Sequence, residues 1–420
     1  MSAAPGRPQQ ARTAGEAEGT PVHAGAEPYD VAVVGLGALG SAIVRPLAQR
    51  GARVLGLDRQ LPDADSAAPP GGLRSTRLAI GEGDAYVPLV RRSHAIWREL
   101  ERQTGQPLYQ ATGGLVLGSE RSRRTRQGKT DFLHRSIASA QSHGIAHALL
   151  DAREIRRRFP PFALQGDEIG FWEPDAGLLR PRAGIAAQLA VARASGARLR
   201  LGETVLGLEP RGDGSITLAT DRGRYCARQV VLAAGAQLPE LLQSQGGGLW
   251  ADWQCAFTAE QTRTHWFAVP PEAAPAFSPD RFPVFVWTHG EAGEDCLHGM
   301  PSAVGAQPAL RITAGHGAAA PPPAQDAAAL LAARLPQLDP RSLHQCTRTR
   351  LVPRGRDFVV DRLDAGLPVW VASVHADHGF KYAPGLGEAI ALKLLDVGTG
   401  QLLAAFGRQP AAQVQTVSNR

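Results

Sequence analysis

Short apolar runs that end at a glycine or an aspartate recur along this chain and predict the strands of a parallel sheet. The first run covers residues 29–34 and ends at Gly35, and a helical pattern follows from residue 41 to about 50. A second apolar run, residues 52–57, closes at Asp58. This order of strand, helix and strand is a βαβ unit, in which the two strands lie parallel and the helix covers one face of the sheet.

Two later segments repeat the pattern of a buried strand followed by a helix. Residues 229–234 lead into a helical pattern at 238–242, and residues 367–374 lead into a predicted helix at about 388–395. Between them, residues 249–310 are rich in Trp, Phe and Pro and show strand-like alternation. Because predicted strands near both chain ends have the same buried, apolar pattern followed by a helix, we expect them to join one sheet. The domains are then interleaved rather than sequential.

Composition and charge argue against several classes of protein. The formal net charge of the 420 residues is +6 and is not gathered in one block, so no nucleic-acid partner is expected. The four cysteines are scattered, which argues against a disulfide framework or a zinc site and fits a reduced, cytoplasmic setting. No apolar run is long enough to span a bilayer, so no membrane partner is expected. Residues 1–28 are predicted to be a disordered leader.

The glycine pattern G-x-G-x-x-G, formed by Gly35, Gly37 and Gly40, lies between the first strand and its helix. Gly35 permits a tight turn, Gly37 lets the backbone approach a pyrophosphate, and Gly40 lets helix and strand pack closely. The N-terminus of the helix directs N–H groups and a positive dipole at the phosphates. Asp58, at the end of the next strand, can accept hydrogen bonds from ribose hydroxyls. The pattern predicts a dinucleotide site without deciding between NAD and FAD.

The residues after the loop 62–72 narrow this choice. An R-x-x-R pair follows a Gly-containing loop, and a segment Gly-Glu-Gly-Asp-Ala-Tyr-Val-Pro-Leu comes next. With later segments, these motifs resemble the family of monomeric sarcosine oxidase and N-methyltryptophan oxidase, from Tyr29 to about Phe406. The region from about 249 to 344 matches only loosely. The segments that carry the resemblance are 71–89, 97–101, 112–113, 173–177, 235–236, 378–381 and 385–388.

The resemblance implies both fold and cofactor. The family consists of FAD-dependent amine oxidoreductases of the D-amino-acid oxidase superfamily. We therefore expect an α/β fold in which a Rossmann-like FAD-binding domain is interleaved with an α+β substrate domain built on a mostly antiparallel sheet. The predicted bounds are 29–110, 171–245 and 345–406 for the FAD-binding domain, 111–170 and 246–344 for the substrate domain, and 407–420 for a C-terminal tail.

The resemblance also implies a substrate clamp. The family arginine that matches Arg77 pairs with the substrate carboxylate, together with the lysine that matches Lys381, while the one that matches Arg74 lies beside the flavin ring. A buried carboxylate requires charge-assisted hydrogen bonds, which a guanidinium and an ammonium supply. Holding the carboxylate fixes the amine-bearing carbon against the flavin. Lys381 is one of only three lysines, with Lys129 and Lys393, which argues against an incidental surface role.

Further residues are expected to form the cofactor site. Cys346 begins a C-x-x-T segment like the one in which the family carries a cysteine bonded to the flavin 8α carbon, so a covalent thioether is predicted; the alternative is an ordinary half-buried cysteine. The glycine-rich start of the last helix should direct its N-terminus at the flavin and stabilise negative charge on reduction. The complete predicted cofactor set is Gly35, Gly37, Gly40, Asp58, Gly72, Arg74, Gly235, Cys346, His378, Gly379 and Lys381.

The chain departs from the family at several site positions. Arg311 stands where the family has a lysine that promotes reaction with O2, and arginine keeps the charge but not the compact ammonium. His298 and Arg348 each replace a tyrosine, and Val286 replaces a methionine. These changes predict a pocket more cationic than one for sarcosine, suited to a substrate with a second acidic or polar group.

The predicted function is FAD-dependent oxidation of the C–N bond of a small secondary or cyclic amino acid to an imine. The catalytic residues are expected to be Arg74, Arg77, Lys381, Arg311 and His298, with O2 taking the electrons to give hydrogen peroxide and the protein acting as a monomer. A dehydrogenase with another electron acceptor remains an alternative, as do a catalytically degenerate FAD-binding protein and an NAD-dependent dehydrogenase. The neighbouring His375, Asp377 and His378 could suggest metal ligands, but no metal is expected.

Overall fold

The computed structural model describes residues 27–60, 72–121, 131–244, 253, 256–289, 295–315, 324–353, 358–374, 378–398 and 400–407. The helices in these ranges are α1 (Ala38–Gln49), α2 (Val87–Thr104), α3 (Phe132–His143), α4 (Ala152–Arg158), α5 (Pro181–Ala194), α6 (Leu238–Gln243), α7 (Ala324–Arg334), α8 (Ala383–Leu394) and α9 (Gly400–Leu403). Short 3₁₀ turns lie at Asp84–Tyr86, Gly235–Gln237, Ala274–Phe277, Gly379–Tyr382 and Ala404–Phe406.

The strands of the first half of the described chain are short and regular. They are β1 (Tyr29–Val34), β2 (Val54–Asp58), β3 (Arg74–Thr76), β4 (Tyr109–Ala111), β5 (Gly114–Ser119), β6 (Ala148–Leu150), β7 (Glu168–Glu173), β8 (Gly177–Leu179), β9 (Arg198–Leu201), β10 (Val205–Pro210), β11 (Ile216–Thr220) and β12 (Arg224–Leu232). Those of the second half are β13 (Phe257–Ala268), β14 (Val284–His289), β15 (Asp295–Val304), β16 (Gln307–Gly315), β17 (Ser342–Pro353), β18 (Val359–Arg362) and β19 (Val369–Ser373).

The first sheet joins strands from both ends of the described chain. Its order is β10-β11-β12-β1-β2-β9, and β19 adds to the second half of β12 with β18 beyond it. The pairs β12–β1, β1–β2, β2–β9 and β12–β19 are parallel. Because β1 and β2 are almost fully buried, their apolar runs read as continuous rather than alternating, as expected for a covered parallel sheet.

The second sheet is mostly antiparallel, with the order β17-β13-β16-β15-β14-β5-β7-β6. Only the pair β14–β5 is parallel among its described pairs. A small third sheet, β3-β8-β4, lies where the chain passes between the two larger ones. The predicted fold class, a Rossmann-like domain interleaved with a domain on a mostly antiparallel sheet, is confirmed.

The observed elements differ from the predicted ones in two places. The last helix begins at Ala383, not near residue 388, so Gly385 and Gly387 lie inside the helix and not before it. A Cβ on Gly385 would come within 2.3 Å of the Leu89 carbonyl oxygen, and one on Gly387 within 2.6 Å of Ala42. These glycines therefore permit close packing of α8 on α2 and α1. The segment 345–353, predicted in the FAD-binding domain, pairs along β17 with the second sheet; the domain bounds as a whole remain a proposal.

Among the residues described, no helix combines the length and the apolar character needed to cross a membrane.

Candidate active site

The glycine turn between β1 and α1 has the shape of a dinucleotide cradle. Gly35 has a φ of 91°, and a Cβ there would lie 2.6 Å from the Ala233 carbonyl oxygen. A Cβ on Gly40 would lie 1.7 Å from the Gly35 carbonyl oxygen, so helix and turn meet this closely only because residue 40 is glycine. No described atom lies within 4 Å of where a Cβ on Gly37 would project, which leaves the backbone open to a ligand.

Asp58 secures this turn. Its Oδ2 accepts a hydrogen bond of 2.7 Å from the Leu36 N–H, and its Oδ1 accepts one of 2.8 Å from the Gln60 N–H. The carboxylate thus ties the glycine turn to the end of β2. This structural role is additional to the hydrogen bonds from ribose hydroxyls that were predicted for Asp58. Together the open backbone at the turn and this supported edge fit the adenosine and pyrophosphate part of FAD.

Three predicted cofactor glycines meet at one edge of the first sheet. Gly35 follows β1, Gly235 follows β12 with a φ of 57°, and Gly379 follows β19. Since β1, β12 and β19 are parallel neighbours, their carboxyl ends open on the same crevice, where ligands bind in doubly wound folds. Gly72, the remaining predicted glycine, precedes β3, and His378 lies next to Gly379 with its ring 6.2 Å from that of Phe358.

A carboxylate clamp joins residues from opposite ends of the chain. Arg77 Nη2 and Lys381 Nζ each donate a hydrogen bond of 3.0 Å to the same oxygen, Oε1 of Glu82. The exposed fractions of the three side chains are 13% for Arg77, 4% for Lys381 and 20% for Glu82. The structure therefore brings the two predicted substrate-binding cations together around one acid group.

Burial and charge set the protonation of this clamp. Burial acts to raise the pKa of Glu82, but Arg77 and Lys381 outweigh it and hold that pKa well below its ordinary value. Burial and Arg77 lower the pKa of Lys381 to about 8, although Glu82 opposes this. Burial also acts to lower the pKa of Arg77, but Glu82 outweighs it and raises that pKa. Glu82 is thus fully ionised, whereas Lys381 can lose its proton in mildly alkaline solution.

The segment after β3 is fixed by a buried acid. Glu173 at the end of β7 accepts hydrogen bonds from the Leu78 and Ala79 N–H groups, at 2.5 and 2.9 Å. The guanidinium of Arg77 also lies over the ring of Phe132 at the start of α3, 4.9 Å from its centroid.

A cavity of about 20 Å³ adjoins Arg77, with room for one water. Its other walls are largely apolar and include Val116, Phe171 and Val286.

A second pair of cations meets beside the clamp. Arg74 Nη1 and Arg311 Nη1 both donate to the Leu73 carbonyl oxygen, at 3.0 and 2.7 Å. The guanidinium of Arg311 also lies 5.7 Å from the Trp266 ring centroid and contacts the Met300 sulfur. Because both arginines donate to this carbonyl oxygen, Arg311 of β16 lies at the start of β3, next to Arg74. Arg311 is the residue at the family position that promotes reaction with O2, and Arg74 is the arginine predicted to lie beside the flavin ring.

One row of the second sheet carries most of the remaining predicted residues. Strand register places them directly opposite one another across β14, β15, β16, β13 and β17, in the order Val286, His298, Thr313, Thr264 and Cys346. The next row on the same face contains Met300, Arg311 and Trp266. Residues two apart on a strand share a face, so this side of the sheet presents His298, Arg311 and half-buried Cys346 together.

Both cations of the clamp and Arg311 of the second pair act electrostatically on His298. Burial and nearby Arg77 lower its pKa to about 4, so the imidazole is neutral at physiological pH. The backbone of Arg348 pairs with Thr262 on β13, whereas its side chain lies outside the described residues. His375 and Asp377 are also outside them; within the described ranges, no three metal-ligand side chains converge.

Two acids at the site were not predicted as functional residues. The family resemblance includes Glu82 only within the Gly-Glu-Gly segment and Glu173 only within the segment 173–177, with no role for either side chain. A signal for Glu82 existed, because it lies five residues after Arg77 between two glycines. For Glu173, nearly a hundred residues from the backbone it holds, the sequence offers no comparable signal.

Comparison with known proteins decides the family. The profile of the family described as DAO, FAD dependent oxidoreductase, matches residues 30–392. This chain belongs to that family. It is 34% identical to monomeric sarcosine oxidase of Streptomyces avermitilis over 390 residues, which cover 90% of this chain and 96% of that protein. It is 29% identical to N-methyl-L-tryptophan oxidase of Yersinia pestis over 392 residues, 90% of this chain and 98% of that protein.

A solved structure agrees with this membership. The open form of NikD, an unusual amino acid oxidase essential for nikkomycin biosynthesis, superposes with a TM-score of 0.71 at 26% identity, covering 92% of this chain and 98% of NikD. The family member described here is thus an FAD-dependent oxidoreductase that acts on C–N bonds. The prediction of FAD is confirmed, and the alternatives of an NAD-dependent enzyme and of a degenerate protein are set aside.

Proposed function

We propose that this enzyme oxidises the C–N bond of a small secondary or cyclic amino acid to an imine, and that O2 reoxidises the reduced flavin to give hydrogen peroxide. The observation that carries the proposal is the meeting of Arg77 and Lys381 on one oxygen of Glu82. The Glu82 carboxylate stands in for the carboxylate of an amino acid. A site that already holds one buried carboxylate with two cations has the donors to hold another.

Substrate binding then requires an exchange of carboxylates. Glu82 lies between Gly81 and Gly83 and is the most exposed member of the clamp, so its side chain can turn outward as the substrate enters. The incoming carboxylate takes over the N–H groups of Arg77 and Lys381. Because a carboxylate replaces a carboxylate, the buried cations are never left without a counter-charge.

The same cations favour the reactive form of the substrate. A positive charge near the amino group of a bound amino acid disfavours its ammonium form, so Arg77 and Lys381 select the neutral amine. FAD, when bound, supplies the acceptor for the two electrons lost from the C–N bond. The clamp holds the amine-bearing carbon in place for that oxidation, and the imine product then leaves or is hydrolysed. Neutral His298 adds no further positive charge beside the substrate.

The relatives support the substrate class. Monomeric sarcosine oxidase and N-methyl-L-tryptophan oxidase are named for N-methyl amino acids, and NikD is described as an amino acid oxidase. The cationic surroundings of His298 support the narrower proposal of a second acidic or polar group on the substrate. A monomer in the cytoplasm also remains a proposal.

An anaerobic panel tests this function. N-methyl and cyclic amino acids are mixed with the oxygen-free holoenzyme, each beside its methyl ester, and flavin absorbance is followed. We expect the acids to bleach the flavin and the esters, which lack the carboxylate, to bleach it at least a hundredfold more slowly, on the order of two lost charge-assisted hydrogen bonds. Equal bleaching by acids and esters would contradict the clamp.

A dehydrogenase using another electron acceptor is the second candidate, and Arg311 favours it. Its guanidinium is engaged by the Leu73 carbonyl and lies against Trp266, so it differs from a mobile, hydrated ammonium. Admitting air to the bleached enzyme distinguishes the two: recovery within one turnover time, with hydrogen peroxide formed, supports the oxidase. Recovery only with an added quinone or dye supports the dehydrogenase.

A covalent bond between Cys346 and the flavin also remains a proposal. It is supported by the half-buried thiol at the end of the row that contains His298. Acid precipitation of the holoenzyme should leave the yellow colour with the protein, whereas Cys346→Ala should release it into the supernatant. Colour released from both would mean that FAD is held without a covalent bond.

A further inference from the structure

Cys296 and His298 form a pair on β15, and no predicted function uses Cys296. They are two residues apart, so their side chains share one face, and Cys296 Sγ lies 3.1 Å from His298 Nε2. The thiol of Cys296 is reduced and packs against a buried apolar cluster that includes Val116, Phe171 and Val286. His298 therefore has one ring nitrogen engaged by a residue of its own strand, next to the carboxylate clamp.

The charges around His298 come from four different segments. They are Arg77 after β3, Glu82 on the glycine-flanked loop, Arg311 on β16 and Lys381 in the 3₁₀ turn before α8. Three cations and one carboxylate leave a net positive field, in which a protonated imidazole is unfavourable. The histidine is therefore a neutral ring, with one nitrogen that donates and one that accepts.

The thiol of Cys296 determines which ring nitrogen of His298 donates a hydrogen bond and which accepts one. An imidazole nitrogen is a better hydrogen-bond acceptor than a thiol sulfur, so the favoured arrangement is S–H donating to Nε2. Nε2 then carries no hydrogen, and the ring proton resides on Nδ1. A neutral Nδ1–H can donate to a carboxylate, carbonyl or hydroxyl oxygen of a bound ligand. With its acceptor nitrogen engaged, the ring is poorly suited to take a proton from the substrate amine.

We propose that Cys296 is a positioning residue that fixes His298 as the Nδ1-protonated tautomer and so lets that ring donate a hydrogen bond to the bound amino acid. The link to turnover rests on the proposed function, whereas the tautomer itself does not. Cys296 acts through His298 and touches neither substrate nor flavin in this proposal. It also explains how a histidine serves among cations: it contributes a donor without contributing charge.

The tautomer can be measured directly in the holoenzyme. Nitrogen-15 histidine spectra are recorded near neutral pH, and the His298 signals among the 12 histidines are assigned by their loss in His298→Asn. We expect a protonated Nδ1 and an unprotonated Nε2 in the native enzyme. Cys296→Ala should shift the ring towards the other tautomer, and Cys296→Ser, which retains a donor, should restore it. A native ring protonated on Nε2, or one unchanged in Cys296→Ala, would overturn the proposal.

A double-mutant cycle connects the pair to binding of the substrate. Cys296→Ala should raise the KM for the best amino acid by about fivefold, the effect of one weakened hydrogen bond, with a smaller effect on kcat. Cys296→Ser should recover most of that loss. In a His298→Phe background, Cys296→Ala should have no further effect, because it acts only through the ring. Additive losses would show a merely structural role and overturn the proposal.

Matched controls separate the possible failures. Cys226→Ala removes another reduced thiol, which lies 3.2 Å from the Ser215 hydroxyl on the first sheet, and should alter neither the His298 signals nor KM. If no amino acid bleaches the flavin, the proposed function fails while the tautomer measurement still decides the role of Cys296. If bleaching is seen but the tautomer is unaffected by Cys296→Ala, only the positioning role fails.

Discussion

Two pairs of cations meet at single acceptors in this enzyme, and the acceptors differ. Arg77 and Lys381 share the charged carboxylate of Glu82, whereas Arg74 and Arg311 share the Leu73 carbonyl, which has no formal charge. An acid partner on a glycine-flanked loop can be exchanged for an acid ligand. A backbone carbonyl cannot leave, so it fixes its cations in place. We therefore propose that the first pair exchanges ligands, whereas the second pair holds its position.

The largest expected effect comes from breaking the exchangeable pair. Lys381→Met should lower kcat/KM for the best amino acid by about a hundredfold, because a buried charge-assisted hydrogen bond to the substrate is lost. Stopped-flow measurement of anaerobic flavin reduction gives the value. Lys393→Met, at the exposed end of α8, is the control and should retain native kinetics. A native rate in Lys381→Met would remove this lysine from the clamp.

The next effect tests whether Glu82 competes with the ligand. Glu82→Gln should strengthen binding of acetate by about tenfold, because the ligand no longer displaces a charged partner. The same variant should have a lower Tm without ligand, since two buried cations lose their counter-charge, and acetate should restore part of it. Flavin absorbance titrations and thermal melts measure the two changes. Weaker acetate binding in Glu82→Gln would mean that Glu82 assists the ligand rather than competing with it.

The pKa of Lys381 gives the clamp a defined pH dependence. A carboxylate binds better to the protonated lysine, which is the dominant form below about pH 8 and is lost above it. Acetate affinity should therefore be flat below that pH and fall by up to about tenfold per pH unit above it. Lys381→Arg, which stays charged, should flatten the profile. An unchanged decline in Lys381→Arg would assign the titration to another group.

The smallest effect sharpens the role of the fixed pair. Arg311→Met should leave anaerobic reduction near its native rate but slow reoxidation by air by about fivefold, because loss of one nearby positive charge costs about 1 kcal/mol. Arg311→Lys should retain or raise the rate with O2. Equal slowing of both half-reactions in Arg311→Met would instead mean that Arg311 supports the shape of the site, with Leu73 as its anchor.

The glycine turn and the two cation pairs differ in how far the sequence predicts their contacts. The glycine turn was readable because Gly35, Gly40 and Asp58 lie within one βαβ unit, where spacing alone implies contact. Arg77, Lys381 and Arg311 were identified as site residues only through the family resemblance. The pairing of Cys296 with His298 was not predicted, although the two are close in sequence, because nothing in the chain shows which way a strand's face points.

The amino-acid sequence alone predicts the parallel strands, the dinucleotide turn and the family, because these depend on local periodicity and on motifs along the chain. The folded chain is needed to show that Glu82 bridges Arg77 and Lys381, that Leu73 joins Arg74 and Arg311, and that His298 lies in one row with Cys346. Those contacts depend on sheet order and strand register, which are set by the packing of the whole chain rather than by any one segment.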